Sequence, residues 1–378
     1  MKTELEDVKP IVEEVFAHLH SHPEISWQEV ETTKYLQRLL VSEGFQVTTF
    51  EDSTGLVVTV GTGEHCVALR TDIDALWQEV DGVYQANHSC GHDAHMTMAV
   101  GSLLVLKKLG IPKNGRLKVI FQPAEEKGTG ALSFVEKGIV DDVDYLYGVH
   151  LRPIQEIGHG YSTPAILHGS AKMITGAITG TDTHGARPHL GQNAIEVMAQ
   201  LVQAIQSIHV DPMVPHSAKM TRFEAGGESA NIIPGNAVFS LDIRAQTNEV
   251  MEKLVSQVEQ SISLVADMFE VQITYDIIAE IAAAQVDETA VDIMAQAITE
   301  TVGEQFLVPP IVTPGGEDFH YYTLKRPTVK ATMLGLGCDL SPGLHHPNMT
   351  FNQDSILTGI EILARTVIHT FEQLEKRT

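Results

Sequence analysis

From His88 to His95 the segment His88-Ser89-Cys90-Gly91-His92-Asp93-Ala94-His95 gathers a thiol, three imidazoles and a carboxylate. Cys90 and His92 flank Gly91, whose freedom lets the chain bend so that both face one point. Thiolate beside imidazole is ligand chemistry for zinc and its neighbours. The plainer alternative is a buried cysteine next to surface histidines. Three further groups can join it: Asp72 and Asp74, the adjacent pair Glu125-Glu126, and His150. Successive side chains of an extended chain diverge, so one acid of such a pair can ligate a metal while the other faces a reacting atom. A loop with His345-His346-Pro347 offers two more imidazoles.

The predicted elements give these positions a common logic. The apolar run Met96 to Leu109 reads as a helix, with the Cys-Gly-His turn on the loop and first turn before it. Short β-branched runs, Leu56 to Val60, Cys66 to Arg70, Arg116 to Gln122, Tyr145 to Val149 and Val329 to Leu334, read as strands. Asp72/Asp74, Glu125/Glu126 and His150 each follow such a run. Strands alternating with helices imply a mostly parallel sheet, which binds ligands beyond the carboxyl ends of its strands. Towards the start, Val8, Val12, Val15 and Leu19 recur at helical spacing, with Pro10 expected in a first turn. Ser26-Trp27-Gln28-Glu29 reads as a capping box opening a helix to about Ser42.

Near Ala171 the texture changes to strand, helix, strand, strand, helix, strand, the ferredoxin-like split unit. The first pattern then resumes with Asp287 capping a helix and Asp354 to Leu374 closing the chain. The expected fold is α/β: a catalytic domain on a mostly parallel mixed sheet with helices on both faces, residues 1–168 and 280–378. Inserted in it is an α+β ferredoxin-like second domain, residues 169–279.

Of the 378 residues 43% are apolar, enough for two cores. Against 25 basic residues stand 49 acidic ones, a net charge of -24, so neither nucleic acid nor anionic membrane is an expected partner. The chain has no positively charged start leading into an apolar segment and no apolar run near eighteen residues. Cys66, Cys90 and Cys338 are odd in number and far apart, which fits a reducing cytoplasm. A Gly-x-Ser-x-Gly elbow, a Gly-x-Gly-x-x-Gly turn and a phosphate loop are all missing, against serine hydrolysis and nucleotide cofactors.

Taken in order, Ala68-Leu69-Arg70-Thr71-Asp72-Ile73-Asp74-Ala75-Leu76, Cys90-Gly91-His92-Asp93-Ala94-His95, Phe121-Gln122-Pro123-Ala124-Glu125-Glu126, Gly148-Val149-His150 and Leu344-His345-His346-Pro347 resemble one family. It is the dinuclear metallo-amidohydrolases that cleave N-acyl amino acids: hippurate hydrolases, aminoacylases and plant indole-acetyl-amino-acid hydrolases. The resemblance implies Cys90, His92, Glu126, His150 and His345 as ligands of one or two divalent ions, zinc or manganese first, cobalt or nickel also suited. It implies Glu125 as general base and acid, and Asp72 as an aspartate that orients a ligand. In the insert, Thr183-His184-Gly185-Ala186-Arg187-Pro188-His189 resembles the lid motif whose first histidine, His184, reaches the partner subunit's site in a homodimer. The segment around Asn231, with Arg244, resembles the part that handles the substrate carboxylate. Trp77 stands where the family has proline, and Asn87-His88-Ser89 where it has Met-His-Ala, which bears on acyl specificity. The implied reaction is amide hydrolysis of an N-acyl amino acid or similar small N-acyl carboxylate. The same site can serve a dipeptidase, a carboxypeptidase or a diaminopimelate deacetylase. Outside enzymes the alternative is a metal-dependent small-molecule binding protein, which has no use for a spare base at Glu125.

Overall fold

A computed structural model describes residues 1–376 of the chain, which divides into two compact units. The first comprises Met1–Leu167, Gln285–Val312 and Asp318–Thr378; the second comprises His168–Ala284 and Thr313–Glu317. The sequence reading cuts at 168/169 and 279/280. It leaves the short strand Ile311–Thr313 in the catalytic part, whereas the division between units falls at its last residue.

The first unit is built on a sheet in the order Val47–Thr49, Leu56–Gly61, Arg116–Gln122, Cys66–Asp72, Tyr145–Pro153, Lys330–Leu340, Ser162–Thr163. Its centre is parallel: Arg116–Gln122, Cys66–Asp72, Tyr145–Pro153 and Lys330–Leu340 run one way. Leu56–Gly61 and Ser162–Thr163 run against their neighbours. Every residue of Cys66–Asp72 is buried, as a central parallel strand covered on both faces requires. The helix His92–Lys108 packs on that strand and between the helices Lys2–Ser21 and Ser355–Glu375. It is buried from His92 through Leu106, so its polar first turn is carried into the interior by an apolar body.

The second unit has a four-stranded antiparallel sheet in the order His216–Ala225, Ala237–Ala245, Ser170–Thr179, Gln272–Ile281. Helices Ala194–Gln206 and Asn248–Phe269 close its separate core around Leu201, Phe239, Leu241 and Val258. This is the split unit that the pattern implies. Asn193 and Thr247 cap the two helices through their side chains.

Two local expectations are corrected, and one element is new. Pro10 lies well inside the helix Lys2–Ser21, not in its first turn. The segment Ser26–Glu29 is not a capping box. Ser26 Oγ donates to Asp74 Oδ2 at 2.6 Å, and Glu29 is buried and turned elsewhere. The helix Val30–Ser42 is instead capped by Glu24, whose carboxylate accepts from the amides of Glu31 and Thr32 at 3.1 and 2.7 Å. Finally, Leu76–Val80 and Val83–Asn87 form a hairpin that the sequence reading passed over. Its turn, Asp81-Gly82, has φ of 51° and 82°, the positive angles of a type I′ turn.

Gly130 shows how tightly the end of Arg116–Gln122 is turned. A Cβ there would meet the Pro123 carbonyl oxygen at 1.6 Å, which is backbone and cannot rotate away. Gly130→Ala is expected to lower stability by about 1–3 kcal/mol, the usual cost of overpacking. Urea denaturation checks this; an unchanged midpoint would show that the turn is looser than its geometry implies.

Candidate metal centre and active site

Gly91 begins the construction. It sits at φ 92°, and a Cβ would come within 2.9 Å of Leu151 Cδ1. The chain therefore reverses between Cys90 and His92, and His92 becomes the first residue of the buried helix. His92 Nδ1 lies 2.9 Å from the Asp74 carbonyl oxygen and 3.3 Å from Asp74 Oδ1. Two oxygens on one side call for a proton at Nδ1 and leave Nε2 facing inward.

Around that nitrogen the other candidates converge. Cys90 Sγ lies 3.6 Å from His150 Nε2 and 3.3 Å from His345 Nε2. His345 Nε2 is 3.3 Å from Glu126 Oε1, and His92 Nε2 is 3.9 Å from both Glu125 Oε2 and Glu126 Oε1. Cys90/His92/His150, Cys90/Glu126/His345 and His92/Glu125/Glu126 are each compact enough to hold an ion, with ligand atoms within 4.8 Å. The first two groups share the Cys90 sulfur. His92 Nε2 and Glu126 Oε1 are buried and make no hydrogen bond. Buried polar atoms left so cost about 1–3 kcal/mol each. A soft thiolate, neutral imidazoles and a carboxylate are a donor set that fits a divalent metal.

The electrostatics favour positive charge in the same place. Burial works against the Asp72 carboxylate, but His92, His95 and Arg70 hold its pKa well below the usual range. Burial likewise opposes charge on His92, yet Asp72 and Cys90 raise it well above an ordinary imidazole. The Cys90 thiol is pushed up to about 12 by burial and by Glu126. His150 is held well below its usual value by burial, then by His95 and Arg152, so its imidazole is neutral. The adjacent Glu126 carboxylate raises His345, against a smaller burial penalty.

Behind the candidate ligands lies a buried frame. Arg70 donates through Nε to Gln122 Oε1 at 2.9 Å, through Nη1 to Asp72 Oδ2 at 2.9 Å and through Nη2 to Asp318 Oδ1 at 2.6 Å. Asp72 Oδ1 accepts from His95 Nδ1 at 2.8 Å, and His95 Nε2 accepts from the Leu151 amide at 3.0 Å. Asp72 thus orients His95 directly, whereas Asp74 is the aspartate on the Nδ1 side of His92. Glu29 accepts from the amide of Ala124, which sits at φ 52°, and Asp74 Oδ2 accepts from the amide of Glu126. Sequence reasoning gave no individual role to Arg70 or Gln122, placed Glu29 in a capping box and counted His95 only among the imidazoles of the cluster. A charged residue directly after the apolar run Val67-Ala68-Leu69, within one strand pattern, was the available signal for Arg70.

In the second unit, His184 lies on Thr183–His184, paired with Ile232–Ile233. Its Nδ1 accepts from the Ala186 amide at 3.0 Å, and the Gly185 amide donates to the Asn231 carbonyl at 2.7 Å. The His184 turn and Asn231 are therefore neighbours. Arg244 is joined to Asp242 on its own strand, through Nε at 2.7 Å and Nη2 at 3.0 Å.

A parallel-centred sheet with these side chains at its strand ends, in a chain that also carries a separate ferredoxin-like unit, is the setting of a metal-dependent amidohydrolase, and the relatives of this chain are hydrolases of that kind. Residues 68–369 match the profile of peptidase family M20/M25/M40, and the chain belongs to that family. It is 30% identical to a probable hydrolase of Synechocystis sp., over 96% of both chains. It is 29% identical to the N-acetyl-L-cysteine deacetylase of Bacillus subtilis, over 90% of this chain and 83% of that one. Its fold superposes, with a TM-score of 0.82 and 24% identity, on a dinuclear metal-binding peptidase of the M20 family from Bacillus subtilis, covering 98% and 99% of the two chains.

If the converging donors hold metal, chelation abolishes hydrolysis and a divalent ion restores it. Cys90→Ala or His150→Ala is expected to lower bound metal per chain, read by elemental analysis. Full activity of metal-free protein would rule the assignment out.

Proposed function

We propose that the chain hydrolyses the amide bond of N-acyl amino acids or similar small N-acyl carboxylates, with Cys90, His92, Glu126, His150 and His345 holding one or two divalent ions. The observation that carries this reading is the pair of adjacent carboxylates, Glu125 and Glu126, both 3.9 Å from His92 Nε2. A binding site needs ligands; a hydrolase needs one acid more. The likeness to a deacetylase of N-acetyl-L-cysteine supports the substrate class.

A metal held there supplies Lewis acidity, which makes water nucleophilic near neutral pH and polarises a carbonyl. Glu125 takes the proton of the attacking water. It returns that proton to the leaving nitrogen as the carbon–nitrogen bond breaks, giving a carboxylate and an amine. The Asp318 amide approaches Glu125 Oε1 at 3.4 Å and helps to fix its orientation. The thiolate–imidazole donors suit zinc, and the carboxylate–imidazole donors suit zinc or manganese. Asn231 and Arg244 are proposed to hold the substrate carboxylate, Arg244 exchanging Asp242 for it by a paired hydrogen bond. The reducing cytoplasm is the proposed compartment; three buried, unpaired thiols support it. Among the described residues, no helix is long and apolar enough to cross a membrane.

Glu125→Gln is expected to keep metal and lose turnover by roughly 10²–10⁴, whereas Glu126→Gln loses metal. Near-wild-type turnover in Glu125→Gln would remove the base, and metal loss in that variant would exchange the two roles.

We further propose a homodimer in which His184 serves the partner subunit's site and stabilises the developing oxyanion. Two exposed sheet edges, His216–Ala225 and Gln272–Ile281, favour association through the second unit. Mixing inactive Glu125→Gln and His184→Ala chains under subunit exchange should recover up to about a quarter of wild-type activity, because mixed two-fold dimers contain one intact site. No recovery despite confirmed exchange overturns the shared site.

A further inference from the structure

His345 differs from the other candidate ligands in what holds it. Cys90, His92 and His150 are buried to 6% exposure or less, whereas the His345 side chain is 52% exposed. Its backbone is also left-handed, at φ 63°, a conformation that a side chain with a Cβ disfavours. Neither packing nor intrinsic preference fixes its pose, so specific contacts must.

Those contacts come largely from the Leu76–Val80/Val83–Asn87 hairpin. Gln78 Nε2 donates to the His345 carbonyl at 2.8 Å. Asn87 Nδ2 donates to the Pro347 carbonyl at 2.9 Å and to Gln78 Oε1 at 3.0 Å, which also fixes the sense of the Gln78 amide. On the other side the His345 amide donates to the Ser89 carbonyl at 2.7 Å, next to Cys90. Leu76 pairs with Asn87, so Gln78 and Asn87 fall on one face of the hairpin as diagonal neighbours. Trp77, Val83 and Tyr84 are at least 60% exposed, so much of the hairpin's apolar surface lies outside the core.

We propose that Gln78 and Asn87 are positioning residues: the hairpin is a clamp that holds His345 in its ligating pose and thereby sets metal affinity at the Cys90/Glu126/His345 group. This rests on the reading of His345 as a ligand. Residues that orient a metal ligand from behind typically contribute 10–100-fold to affinity.

The test uses the full chain, stripped and titrated with cobalt(II) against a competing chelator, with the thiolate–cobalt absorption as a second readout. Gln78→Leu is expected to weaken cobalt binding about 10–100-fold, and Asn87→Ser, a milder change on the same face, to weaken it less. In a His345→Ala background, Gln78→Leu should produce no further loss, because its effect passes through the missing imidazole. Wild-type affinity in Gln78→Leu and Asn87→Ser, or losses that simply add to that of His345→Ala, overturns the clamp. Wild-type affinity in His345→Ala itself would instead refute the ligand assignment, so the two failures are told apart.

Discussion

One buried guanidinium organises the floor of the site. Arg70 is 2% exposed and lies in the middle of the central strand, and its charge is tolerable there only with full compensation. It finds this in Asp72 two residues on, in Gln122 on the neighbouring strand and in Asp318 far along the chain. Removing one partner from such a group typically costs about 3–5 kcal/mol, so the three segments cannot drift apart independently. The ends of two adjacent strands are thereby locked together, and it is from these ends that the chemistry is displayed. Gln122 carries the lock onward: its side-chain amide donates to both oxygens of Asp318, and its Oε1 accepts from the Tyr322 hydroxyl.

From that frame, polar contacts run outward in two directions. Through Asp72 they reach His95 and the Leu151 amide, and so set the ground beneath His150. Through Asp74 they reach the ring of His92 and the amide of Glu126. Backbone strain sits at two positions off these routes. Ala124 and His345 are both left-handed without being glycine, and each is held by acceptors or donors from distant parts of the chain. A conformation that the local sequence disfavours persists because tertiary contacts over-determine it.

The second unit obeys a different economy. It has its own apolar core and its own capped helices, and its candidate functional residues lie on exposed turns and strands. His184, Asn231 and Arg244 are surface groups with local partners, unlike the interlocked residues of the first unit. A unit folded around its own core can be inserted between two parts of another without disturbing either.

The sequence alone determined what periodicity and residue chemistry can encode. Alternating strands and helices implied the α/β sheet, and the change of texture near Ala171 implied the split unit. The Cys90-Gly91-His92 turn and the acids after strands were legible because strand ends in such sheets are where ligands bind. The likeness of five ordered motifs pointed to the family. Only the tertiary structure decided which oxygen meets which nitrogen. Ser26 and Glu29 match a capping pattern, yet the fold spends them on Asp74 and Ala124, because a buried acceptor beside an unpaired amide outweighs a solvent-exposed cap. Asp72 and Asp74 are indistinguishable in a pattern of alternating acids, and three-dimensional proximity gave one to His95 and the other to His92. The hairpin at Asp81-Gly82 carried a visible turn signal, but its relation to His345 spans more than 250 residues. No local pattern encodes such a contact; it exists only once the sheet has brought the carboxyl ends of its strands together.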